Sequence, residues 1–387
     1  MTAAVDVVRQ FEIRVESERA LNDVEKAIDQ ALPATLQRRV NKVLRPPVLE
    51  VRLDGASSLV TDAMASIARL PGARVRNDVI RTPTDGRKGL VFPDPEARVR
   101  IGVDSLPPSR GPAATVTMAI VDSGIMVDHP RLAGRLWKGE RPRGEQFIKN
   151  TDGTDRPNDD LHDQDGHGTL LAGTVMDAAG DTPVELIVAK FFDSAHSARP
   201  DNATKALNYV VENKAQIILL AWDVGLGSIA LEEAFRRACQ QALVVIAAGN
   251  YGSDNDWDDK GKTLARAPVR YARAAPDSTI VVMAADETGK AWFSNYGKHS
   301  VDLAAPGINI TSTRRCLTKE AAAGPRGIRT HGGTSAAAAL VAGAAAQIMS
   351  RYPGLTVPQV KQSLTDSAGR RLDIAAALGL AENLART

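Results

Sequence analysis

From Ala114 onward, short apolar segments alternate with segments of helical periodicity, and this alternation limits the possible folds of the chain. The apolar segments are hydrophobic on both faces, which is typical of parallel strands covered by helices on either side. The pattern predicts strands over 115–121, 184–192, 216–222, 243–248 and 279–284, and helices over 202–213, 229–241 and 336–352. We therefore predict an α/β fold with a parallel sheet.

The first 82 residues follow a different pattern, which predicts a small α+β domain. Its segments alternate as β-α-β-α-β, with strands over 11–15, 48–53 and 73–79 and helices over 18–32 and from Ser57 or Ser58 to Leu70. A connector rich in Pro and Gly follows, without sustained periodicity. We place the domains at 1–82 and 114–387, joined by a linker over 83–113.

The charge balance of the chain excludes two classes of partner. The net charge is +2 and aromatic residues are 4 % of the 387 residues, so no basic surface for nucleic acid or anionic lipid is expected. The apolar run 340–349 is about half of the roughly 20 residues that a membrane span needs. We predict neither a nucleic-acid partner nor a membrane partner.

Two features of the sequence predict a cytoplasmic protein. Charged residues, among them Asp6 and Arg9, interrupt any apolar signal sequence at the N-terminus. Two cysteines, Cys239 and Cys316, are too few for a disulfide framework.

Three segments far apart in the chain carry Asp, His and Ser in that order, each beside glycine. They are Val121-Asp122-Ser123-Gly124, Asp165-Gly166-His167-Gly168-Thr169 and Gly332-Gly333-Thr334-Ser335-Ala336. Alone, each has an ordinary interpretation as a turn, a loop histidine or a helix N-cap. Together they predict a Ser-His-Asp triad, in one of the chain orders that such triads adopt.

The expected position of each residue suits its chemistry. Asp122 follows an apolar strand, where its carboxylate could orient an imidazole. Ser335 precedes a long small-residue helix, whose N-terminus favours a developing negative charge. The strand 244–248 ends in Gly249-Asn250, and an amide there could donate a hydrogen bond to an oxyanion.

An acidic loop over 159–165 offers an alternative, a metal site. Its spacing matches neither a calcium-binding EF-hand nor a His-Glu-x-x-His zinc site, so we assign no metal ligand to it. We interpret His162 within this loop as a solvated residue. A structural calcium elsewhere in the chain stays open.

The motifs resemble those of the subtilisin-like serine proteases, the subtilases or peptidase family S8, over about residues 114–377. The matching segments are Ile120-Val121-Asp122-Ser123-Gly124, Gly166-His167-Gly168-Thr169 with Ala172-Gly173-Thr174, Ala247-Ala248-Gly249-Asn250, Phe293-Ser294-Asn295-Tyr296-Gly297, Leu303-Ala304-Ala305-Pro306-Gly307, and Gly333-Thr334-Ser335 with Val341-Ala342-Gly343.

The resemblance implies a subtilisin-like three-layer fold and a serine endopeptidase that needs no cofactor. By analogy, Asp122 orients His167, which takes the proton from Ser335 Oγ during attack on a protein or peptide substrate. Asn250 and the Ser335 backbone N–H then hold the oxyanion.

Several positions depart from the family pattern. Leu170, Ala336, Ala339 and Leu340 replace a histidine, a methionine, a proline and a histidine that family members usually carry. Ala221-Trp222-Asp223 stands where relatives usually have Ser-Leu-Gly along the substrate edge. The bulkier side chains of Trp222 and Asp223 predict a substrate cleft of altered shape. We predict that the substrate-binding residues are Ala221, Trp222, Asp223, Ala248 and Gly249.

The N-terminal unit resembles subtilase propeptides, including Leu70-Pro71-Gly72-Ala73-Arg74-Val75. This implies a ferredoxin-like prodomain that inhibits the enzyme from within the same chain; the alternative is a permanent, non-inhibitory extension. Two other functions stay open. One is an inactive peptide-binding module on a subtilase scaffold, and the other is a metal-dependent hydrolase built on the acidic loop.

Overall fold

The computed structural model describes residues 113–139, 143–148, 157–193, 199–256, 265–286, 289–316, 327–367 and 369–386. In the N-terminal part it describes Lys26 and four strands, which are β1 (Asp6–Arg14), β2 (Gln37–Leu44), β3 (Pro47–Ala56) and β4 (Arg74–Asp78). These strands form an antiparallel sheet in the order β2-β3-β1-β4.

The N-terminal sheet has one strand more than the sequence predicted. The three predicted strands overlap β1, β3 and β4, whereas β2 was missed because its five polar residues hide any apolar alternation. Backbone pairing with β3 in a hairpin register makes it a strand. Apart from Lys26, which is helical, the two predicted helices lie outside the described residues, as do residues 83–112 of the predicted linker. The ferredoxin-like prodomain therefore stays a prediction.

An eight-stranded sheet forms the centre of the larger domain. Seven strands follow the order β11-β10-β9-β8-β5-β7-β6, and β12 pairs in parallel with β10. Their bounds are β5 (Val116–Asp122), β6 (Gly144–Gln146), β7 (Val184–Lys190), β8 (Ile217–Leu220), β9 (Leu243–Ala247), β10 (Thr279–Asp286), β11 (Gly289–Lys290) and β12 (Leu303–Pro306). All pairs in the sheet are parallel except β10 with β11.

Seven α-helices, two short 3₁₀ helices (Ala133–Arg135 and Pro276–Ser278) and a hairpin complete the described part of this domain. The hairpin joins β13 (Ile310–Thr313) to β14 (Ile328–His331). The helices are α1 (His167–Ala179), α2 (Pro200–Glu212), α3 (Ile229–Cys239), α4 (Val269–Ala272), α5 (Thr334–Arg351), α6 (Val357–Thr365) and α7 (Ile374–Leu384). The sequence did not predict β6, β11, β12, the hairpin, α4, α6 or α7.

Helices cover both faces of the sheet, as the apolar strands predicted. Along β5, Met118 and Ile120 contribute to one core with α1 and α5, while Ala119 and Val121 contribute to a second core with α2 and α3. Successive residues of a strand point to opposite faces, so a strand buried on both sides must be apolar throughout. The result is three layers, with helices on both sides of a mostly parallel sheet.

Small residues let α1 and α5 pack closely. Sixteen of the 18 residues of α5 are buried, and many of them are alanine. A Cβ on Gly343 would lie 2.5 Å from the carbonyl oxygen of Val175 and 2.6 Å from the Cβ of Ala178, so only glycine fits at this crossing. No helix in the described ranges is both long and apolar enough to cross a bilayer.

We expect Gly343→Ala to destabilise the protein by about 1–3 kcal/mol, because the added methyl forces the two helices apart. Thermal unfolding followed by circular dichroism measures this. Gly379→Ala in α7 is the matched control, since a Cβ there meets no atom within 4 Å. The control should keep or raise the melting temperature, because alanine favours helix over glycine. Equal melting temperatures for both variants would contradict this account of the α1–α5 contact.

Candidate active site

The four residues predicted to form a catalytic site lie at element ends that meet at one edge of the sheet. Asp122 is the last residue of β5, and Asn250 follows β9 by three residues. His167 is the first residue of α1, and Ser335 is the second residue of α5. The carboxyl ends of parallel strands therefore face the N-termini of two buried helices, a common place for functional groups in α/β sheets.

A hydrogen bond joins Asp122 to His167. Oδ1 of Asp122 lies 2.8 Å from Nδ1 of His167 and also accepts from the backbone N–H of Ser123 at 2.8 Å. The Asp122 side chain is 1 % exposed and the His167 side chain 30 %, so a desolvated carboxylate contacts an imidazole that reaches the surface. Such a pair fixes the tautomer and orientation of the ring.

Gly168 allows α1 to approach β5 this closely. A Cβ on this residue would overlap the carbonyl oxygen of Gly124 and lie 3.3 Å from Oδ1 of Asp122. Any larger residue after His167 would push the start of α1 away from the carboxylate. Packing therefore requires a glycine at position 168, directly after His167.

Asp163 organises the backbone around His167, a role that the sequence did not predict. Oδ1 accepts from Ser123 Oγ at 2.9 Å and from Gly166 N–H at 2.7 Å. Oδ2 accepts from the N–H of Thr169 at 2.8 Å and from its hydroxyl at 2.5 Å. The carboxylate is fully buried and caps the N-terminus of α1.

The acidic loop is thus partly structural. Asp163 has four protein donors, whereas His162 beside it is exposed, as predicted. In the described part of the chain, no three or more His, Cys, Asp or Glu side chains gather as a metal site would require. The structural calcium stays a prediction.

Ser335 lies against the end of β8. Its Oγ donates to the carbonyl oxygen of Ala221 at 3.1 Å. Gly333 is the N-cap of α5, so the backbone N–H of Ser335 is among those at the start of a helix that have no intrahelical acceptor. The hydroxyl and a free N–H of one residue thus share the positive end of the α5 dipole.

Asn250 is held by the start of the same helix. Its Oδ1 accepts from the backbone N–H and from the hydroxyl of Thr334, both at 2.9 Å. The hydroxyl oxygen of Thr334 accepts in turn from Gly249 N–H at 3.1 Å. Because both bonds use Oδ1, the amide nitrogen Nδ2 is left to face Gly333, 3.3 Å from where a Cβ on that residue would be.

Three of the five residues predicted to bind substrate are Ala221, Ala248 and Gly249. Ala221 contacts Ser335 directly, as described. Ala248 is buried in the sheet, where its N–H donates to Val282 at 2.9 Å and its carbonyl accepts from Asn255 at 2.9 Å. Gly249 packs against Asn295, whose N–H donates to the Gly249 carbonyl oxygen at 2.8 Å. The strand end before Asn250 is therefore anchored on both sides.

Trp222 is partly buried and turns toward the sheet. Its Nε1 donates to the carbonyl oxygen of Val121 at 2.7 Å, and its ring packs edge-on against Phe191 with centroids 4.8 Å apart. The indole thus supports the residue next to Asp122. Asp223 forms an ion pair with Arg266 and accepts from the Tyr251 hydroxyl at 2.7 Å. Sequence reasoning missed Arg266 and Tyr251 because no motif connects them to Asp223.

The departures from the family pattern around His167 and Ser335 lie in the core. Leu170, Ala336, Ala339 and Leu340 are all buried at 5 % exposure or less and belong to the α1–α5 core. Relative to the family pattern, these four residues change the packing of the core behind the site.

We expect Asp163→Asn to destabilise the protein by about 1–3 kcal/mol and to lower peptidase activity, because the amide has only one acceptor oxygen for four donors. Chemical denaturation and peptidase rates measure the two effects. Asp160→Asn on the same loop is the control, because among the described residues Asp160 accepts a single bond, from the His162 N–H at 3.3 Å. Similar losses in both variants would contradict a special role for Asp163.

Comparisons with known proteins agree with the motifs and the fold. The model of the Subtilase family matches residues 113–383. Subtilisin DY from Bacillus licheniformis is 31 % identical over 264 residues, which are 66 % of this chain and 84 % of that protein. Subtilisin E from Bacillus subtilis (strain 168) is also 31 % identical, over 266 residues, and the match covers 66 % of this chain but 61 % of that protein.

The fold is likewise that of solved relatives. A cold-adapted subtilisin-like serine proteinase aligns with a TM-score of 0.52 at 24 % identity, over 67 % of this chain and 88 % of that chain. The predicted subtilisin-like α/β fold is confirmed. The chain belongs to the subtilase family of serine-type endopeptidases.

Proposed function

We propose that this chain cleaves protein or peptide substrates with a triad formed by Asp122, His167 and Ser335. The 2.8 Å contact between the buried Asp122 carboxylate and His167 Nδ1 carries this proposal. It leaves Nε2 as the ring nitrogen that faces the reaction, and a carboxylate at this position stabilises the imidazolium that forms when the ring takes a proton.

In the first half-reaction, His167 Nε2 takes the proton of Ser335 Oγ as that oxygen attacks the scissile carbonyl. The hydroxyl hydrogen leaves the Ala221 carbonyl, its acceptor in the structure, as substrate arrives. Collapse of the tetrahedral intermediate breaks the C–N bond, and the His167 proton goes to the leaving amine. Water then attacks the acyl-enzyme. His167 takes a proton from this water and returns one to Ser335 Oγ, which releases the second product.

Asn250 Nδ2 and the backbone N–H of Ser335 would stabilise the oxyanion. The support is the fixed orientation of the Asn250 amide, whose oxygen is held by Thr334. Donors that are already oriented cost no reorganisation when charge develops in the transition state.

We also propose that residues 221–223 and 248–249 form the edge of the substrate cleft. The bond between Ser335 Oγ and the Ala221 carbonyl supports this, since it places the end of β8 beside the attacking atom. Like other subtilases, the enzyme would need no organic cofactor.

We expect Ser335→Ala to abolish peptidase activity and Asn250→Asp to lower kcat by roughly 10²–10³-fold, the range known for loss of an oxyanion asparagine in a subtilisin. Aspartate keeps the acceptor oxygen for Thr334 but removes the Nδ2 donor. Steady-state kinetics and melting temperatures separate the effect on catalysis from an effect on folding. Asn213→Asp, at the C-terminus of α2, is the control. Cleavage by Ser335→Ala at the wild-type rate would refute the proposed nucleophile and favour a different hydrolase.

We further propose that residues 1–82 keep the enzyme latent until they are cut off or displaced. The support is a separate antiparallel sheet in this part of the chain and its resemblance to subtilase propeptides. An inhibitor supplied by the same chain would prevent premature proteolysis.

We expect wild-type enzyme to appear truncated in intact-mass analysis, and Ser335→Ala to appear at full length, because processing needs the nucleophile. Peptidase activity of the wild type should rise when the released N-terminal fragment is removed and fall when it is added back. Activity that does not respond to the fragment would support a permanent, non-inhibitory extension instead.

We propose a cytoplasmic location, supported by the state of the cysteines. Of the two, Cys239 is buried and free, and burial raises the pKa of its thiol to about 12, which keeps it protonated and inert. Cell fractionation tests this location.

A further inference from the structure

A charged cluster of three side chains lies beside the residues that contact Ser335. Asp223 pairs with Arg266 and accepts from the Tyr251 hydroxyl at 2.7 Å, and the Arg266 guanidinium lies 5.3 Å from the centroid of the Tyr251 ring. We call these three residues the Arg266 cluster. The side chains are 25 % exposed for Asp223 and 40 % for Arg266, so the cluster is reachable by a ligand.

Chain connectivity places the Arg266 cluster next to the proposed nucleophile and oxyanion donor. Asp223 is two residues from Ala221, whose carbonyl accepts from Ser335 Oγ. Tyr251 directly follows Asn250. In the substrate, one residue supplies the attacked carbonyl. Its side chain is attached to Cα, the atom next to the carbonyl carbon. It must therefore lie close to the segments that start at Ala221 and at Asn250.

Backbone pairing holds Arg266 in this position. Val224 N–H donates to the Ala267 carbonyl at 3.1 Å, and Ala267 N–H donates to the Gly225 carbonyl at 2.7 Å. The segment that carries Arg266 is thus bound to the segment that carries Asp223. The backbone that carries the ion pair is therefore fixed. Binding a substrate side chain there orders less of the protein and costs less entropy.

Within the Arg266 cluster, the acceptors of Asp223 are used more fully than the donors of Arg266. Asp223 uses both oxygens, Oδ1 for Arg266 Nε and Oδ2 for Tyr251. Arg266 uses Nε, and among the described residues nothing accepts from Nη1 or Nη2. Among the described residues, the cluster therefore presents guanidinium donors without acceptors, while both oxygens of Asp223 already accept hydrogen bonds.

Arg266 stays charged in this setting. Burial alone would lower its pKa, but the charges of Asp223 and Tyr251 outweigh burial and raise the pKa above its ordinary value. A protonated guanidinium with free N–H groups binds carboxylate and amide oxygens and repels ammonium or guanidinium groups.

We propose that Arg266 is a specificity-determining residue, which selects substrates with a side-chain oxygen acceptor (Glu, Gln, Asp or Asn) at the residue whose carbonyl is attacked. Asp223 positions Arg266 for this contact. Lysine and arginine are disfavoured there, because the guanidinium of Arg266 repels their positive charge. The inference rests on the proposed role of Ser335 as nucleophile.

Digestion of denatured casein tests the proposal, with enzyme that is expressed as the full chain and then separated from its released N-terminal fragment. Product peptides are quantified over time by mass spectrometry, and the residue before each cut is recorded. A fluorophosphonate probe titrates the reactive serine, so rates refer to active enzyme. We expect wild type to cut mainly after the four acceptor residues. In Arg266→Met the rate at these sites, relative to sites after Leu, should fall about tenfold or more, as loss of a charge-assisted hydrogen bond implies.

Two further variants sharpen the result. Arg266→Lys keeps the charge but loses the planar fork, and it should retain part of the preference. Arg236→Met removes an exposed Arg–Glu pair on α3 and should leave the preference unchanged.

Three results would overturn the proposal. A wild-type cut profile without enrichment for acceptor residues does so directly, whether or not Arg266→Met folds. An unchanged profile in a folded Arg266→Met that reacts with the probe also does so. If wild type neither reacts with the probe nor cuts casein, the proposed catalytic function fails, and the inference falls with it.

Discussion

The contact between the buried Asp122 carboxylate and His167 is the interaction on which the site depends. A carboxylate removed from water must be paired or hydrogen-bonded, and here the imidazole and the Ser123 N–H both bond to Oδ1, while Oδ2 is buried without a hydrogen-bond partner among the described residues. Its position requires β5 to end directly beneath the start of α1. The lack of a side chain at Gly168 and the bonds that Asp163 accepts around the start of α1 make this approach fit.

The rest of the domain brings a second helix to the same place. The buried small residues of α5 let it run against α1, with Gly343 at the crossing. This packing sets the N-termini of both helices at the same edge of the sheet. Thr334 then connects α5 to the end of β9 by holding Asn250 and Gly249. End residues of two strands and two helices thus lie at one edge of the sheet, because buried helices and parallel strands end together there.

Local patterns in the sequence predicted much of this arrangement. Strands apolar on both faces predicted the three layers, and glycine-flanked residues at element ends predicted the positions of Asp122, His167, Ser335 and Asn250. The sequence did not predict the role of Asp163, because three neighbouring acidic residues make it look solvated and its burial arises only from the tertiary fold. The Arg266 cluster was missed for the same reason, since Asp223 and Arg266 are distant in sequence and no periodicity relates them. Edge strands such as β2 and β6 depend on pairing partners more than on their own composition.

The reaction of Ser335 with a fluorophosphonate, followed by intact mass and peptide mapping in wild type and Asp122→Asn, tests the central claim most directly. An asparagine at this position keeps the shape of the carboxylate but cannot stabilise the imidazolium, so the account predicts one adduct, on Ser335, and a rate about 10⁴-fold lower in the variant. An adduct on another residue, or equal rates in the two proteins, would contradict it.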